Sequence, residues 1–482
     1  MNYLKTDLFK HQQQAFNKLK NLKACALFMD MGTGKTRTAL ELIQNKLNKG
    51  KITRVFWICP CSTKKNLISD INKHSIFSAA YIENIQDEFI CVIGSETISK
   101  SDKYYLKLVN LIKQNTPSML IIDESHMFKN PKAVRTERIS KLSNQVSNRM
   151  ILTGTPVTQG IWDLYSQFYF LHPKILGYNS FYAFAANHLE YSDKYPGQII
   201  NTHNTDYITK KINPYVYQIT KKECLDLPPK TYSDAYFIFD DEQRKIYDQV
   251  KEYFINKISI DDFNGEYILN MLNYLHRIAS GYIDLTVIDE AWSYSKGNYI
   301  KTTEFKFKNY DRAIETVEQL KLTPKGSKTI IWHKFNSDLE LLQHVLDKEQ
   351  IKYVYVNGKS KLKERDKAIE QFKTSKDINT LVVNINIGNL GLNLQEANYM
   401  IYYNSTFDYA KRIQSEDRIY RIGQNKNCHI IDILSFSGID SMIEKSISGK
   451  SNLARIIRQQ INEIKDDKEK IEEFKKKILN EF

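Results

Sequence analysis

"ACALFMDMGTGKTRTALELI", residues Ala24–Ile43, opens as an apolar run, passes through a glycine-rich turn and closes as an amphipathic helix. The six apolar residues Ala24–Met29 have the length and boundaries of a buried strand, and from Thr36 the apolar positions recur with helical spacing. A glycine-rich turn between strand and helix lets backbone N–H groups wrap a phosphate at the positive end of the helix. Gly32, Thr33 and Gly34 form that cradle, Lys35 reaches the β and γ phosphates of a nucleotide, and the Thr36 hydroxyl is placed for magnesium. The fuller phosphate-loop pattern carries one more glycine at position 29, where this chain has Met29.

Working outward, "RVFWIC", "EFICVI", "SMLIID" and "RMILTG" follow the first strand with helical stretches between them. That alternation predicts a parallel sheet covered by helices on both faces. A second series, "KTIIWH", "IKYVYV", "NTLVV", "NYMIYY" and "CHIIDIL", repeats the pattern in the C-terminal half. The fold class expected is therefore α/β, with two parallel-sheet domains in tandem. From about Gly160 to Lys325 the chain becomes rich in Tyr and Asn with amphipathic helical stretches, and the two prolines of "DLPPK" (Asp226–Lys230) mark the connection between domains. "WSYSKGNYIKTTEFKFKN", ending at Asn309, is expected as a surface loop or hairpin. Past Gly449 a charged segment carries Ile457, Ile461, Ile464, Ile471, Phe474 and Ile478 at helical spacing, broken at Lys468, and is expected to pack on the body.

At 482 residues the chain is too long for one core, and its formal charge of +13 suits an anionic partner. The six cysteines fall mostly inside apolar runs and lack paired CxxC spacing, which reads as buried reduced thiols in a cytosolic setting. No apolar run approaches the roughly 18 residues that cross a bilayer, so no membrane partner is expected.

"SMLIIDESHMFKN" (Ser118–Asn130) places Asp123 and Glu124 directly after an apolar strand, at the carboxyl end where open α/β sheets bind ligands. Asp123 can hold magnesium through water, and Glu124 can orient and deprotonate an attacking water. Alone, such a pair is as often two solvated acids; beside the loop at Gly32–Thr36 it completes a nucleotide site. "RIQSEDRIYRIGQNK" (Arg412–Lys426) sets Arg418 and Arg421 three apart, the spacing of one helix face, where both can reach one phosphate cluster. A salt bridge to Glu416 or Asp417 is the plainer use for them.

The order of GKT, Asp-Glu-Ser-His and "LTGTP" (Leu152–Pro156) resembles the first motor domain of a superfamily two helicase. "MDMGTGKT", "LTGTPVTQGIWDLYSQFYFLHPKILG", "ITKKECLDLPPK" and "DRIYRIGQ" narrow the resemblance to the Swi/Snf-like branch of double-stranded DNA translocases, over Gln12 to about Lys450. The resemblance implies two RecA-like domains with helical insertions. They are an ATP-binding domain at 1–225 with a helical protrusion after the third motif, and a helicase domain at 226–455 with an insertion at about 240–310. A charged C-terminal helix at 456–482 follows.

The resemblance also implies roles. Gln12 would recognise adenine; Gly32, Thr33, Gly34, Lys35 and Thr36 would bind ATP, and Thr36 with Asp123 would hold Mg2+. Glu124, Gln414, Arg418 and Arg421 would complete catalysis, the last three facing the nucleotide from the second domain, with Gly391 among the nucleotide-binding residues. His126, Thr153 and Thr155 would couple hydrolysis to nucleic-acid contacts. Pro60, Ser62, Lys65, Ser95, Glu96, Gly388 and Asn393 fall where such motors touch or sense the nucleic-acid backbone. Asn386 and Ile387 depart from the branch's usual pattern. The expected partners are double-stranded DNA and an unidentified protein. The expected activity is DNA-dependent ATP hydrolysis driving translocation along duplex DNA or remodelling of protein-DNA complexes, in replication, repair or recombination. A minimal motor of this kind suits a bacterial, phage or other viral setting, cytoplasmic there and nuclear in a eukaryote. Strand-separating helicase activity, RNA unwinding and a non-catalytic nucleic-acid scaffold are the alternatives.

Overall fold

The computed structural model describes residues 1–157, 160–192, 199–256, 265–284, 306–358, 360–390, 393–449, 453–464 and 467–481. Two compact units divide the chain, one built from Met1–Asp226 and the other from Leu227–Asn389 and Asn393–Phe482.

The first unit contains β1 (Ala24–Met29), β2 (Arg54–Cys59), β3 (Ala79–Tyr81), β4 (Ile90–Gly94), β5 (Ser118–Asp123) and β6 (Asn148–Thr153), then the short antiparallel pair β7 (Leu189–Tyr191) and β8 (Ile199–Thr202), and finally β9 (Val216–Ile219). Its main sheet runs in the order β3-β4-β2-β5-β6-β1-β9, with every pairing parallel. Strands buried on both faces explain why they read as continuous apolar runs. Cys25, Leu27 and Met29 turn to one side, against Leu19, Leu40 and Ile43. Ala26 and Phe28 turn to the other, against Leu164 and Phe168. The alternating direction of side chains along a strand produces this division. Five strands lie where the apolar runs place them. The runs do not reveal β3 and β9, because three or four residues of mixed polarity carry too little period-two signal.

The second unit contains β10 (Lys230–Phe237), the antiparallel pair β11 (Tyr282–Asp284) and β12 (Lys306–Lys308), β13 (Lys328–His333), β14 (Tyr353–Val356), β15 (Thr380–Asn384), β16 (Ala397–Tyr402) and β17 (Cys428–Ser435). Its main sheet, β10-β17-β16-β13-β15-β14, is again wholly parallel. Two such helix-covered parallel sheets are the α/β tandem read from the sequence. Helices Asp241–Asn256 and Gly265–Ala279 lie within the expected insertion and send Val250, Leu272 and Leu275 into this unit's core. Of the segment expected as a loop or hairpin, 292–305 lies outside the described residues, and Lys306–Lys308 forms β12. The C-terminal segment forms two helices, Leu453–Ile464 and Lys468–Glu481, whose Ile457, Ile461 and Ile471 are buried in the same core. Among the described residues no helix is long and apolar enough to cross a membrane.

Candidate active site

The turn after β1 is built around two glycines with left-handed backbone, Gly32 at φ 80° and Gly34 at φ 90°. Thr33 closes it, its backbone N–H and its hydroxyl both donating to the Asp30 carbonyl at 3.3 and 2.8 Å. Lys35 begins the helix Lys35–Asn48, and its Nζ donates to the carbonyls of Met29 and Asp30 at 2.8 and 3.3 Å. The ammonium is thus held over the loop. Thr36 follows in the first helical turn, partly exposed, where the backbone dipole favours negative ligands.

Gln12 is buried on the helix Lys10–Leu19 and ties two segments together. Its Oε1 accepts from Phe9 N at 3.0 Å and its Nε2 donates to the Thr33 carbonyl at 3.1 Å. His11 reaches the same carbonyl at 2.8 Å; since a carbonyl only accepts, Nε2 of that ring carries the proton. A Cβ on Gly34 would lie 2.1 Å from the Gln12 amide nitrogen, so a larger residue there would displace the Gln12 amide as well as strain the backbone. Sequence reasoning gave Gln12 to adenine alone and missed His11, although the pair stands side by side in the first helical turn.

Asp123 ends β5, and Glu124 takes a left-handed backbone at φ 51° with its N–H donating to Asp123 Oδ1 at 3.0 Å. Burial, and then the Glu124 charge, push the Asp123 carboxyl above the ordinary aspartate range, while Lys35 acts against them. A divalent cation would favour the charged form again. The oxygen donors of Asp123 and Thr36 suit magnesium, which takes one or two protein oxygens and completes its shell with water and phosphate.

His126 links this acid to the third motif. Its Nδ1 lies 3.3 Å from Glu124 Oε2 and 3.1 Å from Thr153 Oγ1, and Thr153 Oγ1 accepts the N–H of Thr155 at 3.1 Å. Ser125 adds a second tie, donating at 2.6 Å to Gln167, whose amide donates to the Pro156 carbonyl at 2.8 Å. Gly154 sits between the threonines, where a Cβ would come within 3.3 Å of Met31 N. The glycine-rich loop after β1, the acidic pair and the Thr153–Thr155 turn therefore converge at one end of the sheet. Asp30 fastens the loop from the far side, its N–H donating to the Ile219 carbonyl and its Oδ2 accepting from Lys221 N at 2.9 Å.

The residues expected near nucleic acid lie on neighbouring strand ends. Ser62 and Lys65 are exposed at the turn entering the helix Lys64–His74, just after Pro60. Ser95 is buried, its hydroxyl donating to Glu96 Oε2 at 2.8 Å, and Glu96 also accepts from Cys61 N at 2.9 Å. Burial raises the Glu96 carboxyl, yet the backbone N–H donors of Cys61 and of Glu96 itself hold it below its ordinary range. Ser95 and Glu96 thus brace the turn that displays Ser62 and Lys65.

In the second unit, the helix Tyr409–Glu416 carries Gln414 and stops before both arginines. The shared helix face expected for Arg418 and Arg421 is therefore not what places them. After Glu416 the bonds tighten, with Arg418 N donating to Ser415 O at 3.2 Å and Gln424 N to Arg421 O at 3.0 Å, and Gly423 turns the chain at φ 95°. Gln424 locks this turn by donating to the carbonyls of Gln395, Ala397 and Ile419. Arg421 Nη1 donates to Asn393 Oδ1, and Leu394 N donates to the Arg418 carbonyl, so the turn and the segment after Gly391 are cross-braced. Gly391 itself lies outside the described residues, while Gly388 falls in the short turn Ile385–Leu390. Glu416, a partner considered for the arginines, is held by Arg412 Nε at 2.8 Å, Lys230 Nζ at 2.7 Å and the Tyr232 hydroxyl at 2.8 Å. Of the atypical residues, Asn386 accepts from Lys411 Nζ at 2.9 Å and Ile387 is packed inside.

Two family models match the chain. The SNF2-related domain matches residues 11–281, more than half of the chain, and the helicase conserved C-terminal domain matches 312–423. An uncharacterized ATP-dependent helicase of Mycoplasma genitalium is 25% identical over 349 residues, covering 72% of this chain and 31% of its own length. The ISWI chromatin-remodeling complex ATPase ISW1 of Saccharomyces cerevisiae is 23% identical, covering 95% of this chain and 41% of its own. The chain thus spans about a third to two fifths of the length of these two relatives. Among solved structures, the SWI2/SNF2 ATPase core of Sulfolobus solfataricus in complex with dsDNA is 21% identical with a TM-score of 0.42, covering 97% of this chain and 96% of that one.

Proposed function

The chain belongs to the SNF2-related family, and from that premise we propose that it hydrolyses ATP in response to duplex DNA and uses the cycle to track along the duplex and remodel what is bound there. The observation that carries this reading is the hydrogen-bonded path from Glu124 through His126 to Thr153 and Thr155. A bare phosphatase has no need to tie its catalytic acid to a turn outside the nucleotide cradle.

In this reading Lys35 and the N–H groups of Gly32–Thr36 bind the phosphates, and Gln12 reads adenine while bracing Thr33. Asp123 and Thr36 would hold Mg2+, which would supply charge neutralisation on the phosphate oxygens. Glu124 takes the proton of the attacking water, a role worth roughly 10²–10⁴ in rate. Arg418 and Arg421 stabilise charge on the transferring phosphoryl group, with Gln414 beside them, and arginines in that role contribute on the order of 10³ or more. Ser62, Lys65, Gly388 and Asn393 belong to the DNA-contacting side, and contacts to phosphate and sugar give sequence-independent, salt-sensitive binding. We assign the ATP-binding half to 1–225, the helicase half to 226–455 and the terminal helical segment to 456–482.

Steady-state ATP hydrolysis without nucleic acid and with duplex, single-stranded or forked DNA or RNA, with Lys35→Ala as control, tests the reading. Strong stimulation by duplex DNA that vanishes in the control supports it. Equal rates with and without DNA across a range of salt refute it, and strand release from the fork would favour a helicase.

A further inference from the structure

β10 ends the second unit's sheet, and no strand among the described residues pairs with its other edge. Such an edge offers a row of backbone donors and acceptors to any extended chain. Along it Ala235 and Phe237 enter the core, so Asp234 and Tyr236 face outward by alternation, and Ile238 continues the same face. Tyr236 is 47% exposed, Ile238 69% and Phe436, just past the end of β17, 68%. The Tyr236 and Phe436 rings stack with centroids 5.1 Å apart and planes 17° from parallel. Aromatic and aliphatic surface gathered on an open sheet edge is what soluble proteins ordinarily cover or charge.

The polar surroundings say what kind of chain would cover it. Asp234 stands in register beside Asp432 on β17. Glu444 is exposed on the helix Gly438–Ser448. Asp432 is already paired with Arg412, at 2.5 and 2.7 Å. Burial, and then the neighbouring carboxylates, raise Asp234 and Glu444 above their ordinary ranges, so these acids lie within electrostatic reach of one another. The three carboxylates Asp234, Asp432 and Glu444 outnumber the cations that act on them, Arg412 and Lys445, so in a chain of net charge +13 this spot carries a small negative excess, which disfavours a phosphate backbone and attracts lysine or arginine.

We propose that this edge docks an extended basic segment of a partner protein, which adds as a strand beside β10, lays apolar side chains on Tyr236, Ile238 and Phe436 and sets a cation against Asp234 and Glu444. The two-residue spacing of Asp234, Tyr236 and Ile238 sets the pattern of the guest, a basic residue followed or preceded by apolar residues at alternate positions.

The probe is a fluorescein-labelled peptide, Lys-Thr-Val-Thr-Val-Thr-Lys-Thr, titrated with the full chain by fluorescence anisotropy. Saturable binding is expected, weakened about tenfold or more by Asp234→Lys with Glu444→Lys and likewise by Tyr236→Ser with Phe436→Ser. DNA-free ATP turnover should stay at the parent level in both variants. Replacing the peptide's lysines by glutamate, or methylating alternate backbone nitrogens, should abolish binding without altering the protein. Equal binding of the glutamate or N-methylated peptide overturns the proposal, as does undiminished binding by the charge-reversed chain. So does a result in which the aromatic substitutions instead weaken duplex DNA binding or dissolve a dimer, which would give the surface to DNA or to a second copy.

Discussion

Replacing Gly34 by alanine probes the coupling between the phosphate loop and the first helix. At φ 90° a residue with a side chain costs about 1–2 kcal/mol in the left-handed region. The new Cβ would also meet Gln12 Nε2 at 2.1 Å. That nitrogen ends a flexible side chain, so the amide moves aside and the backbone stays. What is lost is the pair of bonds from Gln12 to Thr33 O and Phe9 N, at 3.1 and 3.0 Å. At about 1 kcal/mol each these add about 2 kcal/mol, for a total near 3–4 kcal/mol. In a unit of this size each kcal/mol moves Tm by about 2–4 °C, so Gly34→Ala should lower the first unit's melting midpoint by roughly 6–16 °C without nucleotide. The sharper test is a double-mutant cycle followed by calorimetry. With Gln12→Ala already present there is no amide to displace, and Gly34→Ala should cost only its backbone share, a coupling near ~2 kcal/mol. Additive losses, or a single variant melting within a degree or two of the parent, would refute the reasoning.

Other substitutions separate roles that adjoin in sequence. Glu124→Gln should keep nucleotide binding, measured with a fluorescent ATP analogue, while DNA-stimulated turnover falls by roughly 10² or more; a parent-like rate removes Glu124 from catalysis. Arg412→Ala takes from Asp432 the cation it shares with Glu416, which keeps Lys230 and Tyr232, and should destabilise the second unit by about 3 kcal/mol in urea melts, with Arg421→Ala instead lowering turnover at a smaller loss of stability. His333 is buried with its Nδ1 donating to Phe335 O at 2.8 Å, and burial lowers its pKa to about 4. The unfolded chain therefore binds the proton first, so stability is intact above pH 6.5 and falls as pH drops toward 4. The loss reaches about 2 kcal/mol at pH 5 and should be absent from the slope of His333→Asn.

What was legible in the sequence was mainly what is local. Ala24–Ile43 announces strand, turn and helix because a doubly buried strand must be apolar throughout and a turn with left-handed backbone at Gly32 and Gly34 favours glycine. Lys230–Phe237 did not announce a strand: five of its eight residues are exposed, so its polarity resembled a linker after "LPP". The arginine pair shows the opposite error. Its three-residue spacing fitted a helix, yet the chain leaves the helix at Glu416, where Gly423 turns it and Gln424 bonds it to a segment about 30 residues earlier. Bonds between residues far apart in sequence, such as His11 to Thr33 or Asp30 to Lys221, leave no periodic trace at all.

The placement of β1 between β6 and β9 has a consequence for synthesis. Its first neighbour begins about 125 residues later and its second about 190. While the ribosome makes the intervening chain, the strand that ends in the phosphate turn stands with one or both edges unpaired. Non-local pairing of this kind is slow and exposes apolar edges as it waits. The nascent chain should therefore acquire protease resistance in its first unit only once β9 has cleared the exit tunnel, which makes the last strand to emerge the one that fastens the glycine-rich loop after β1.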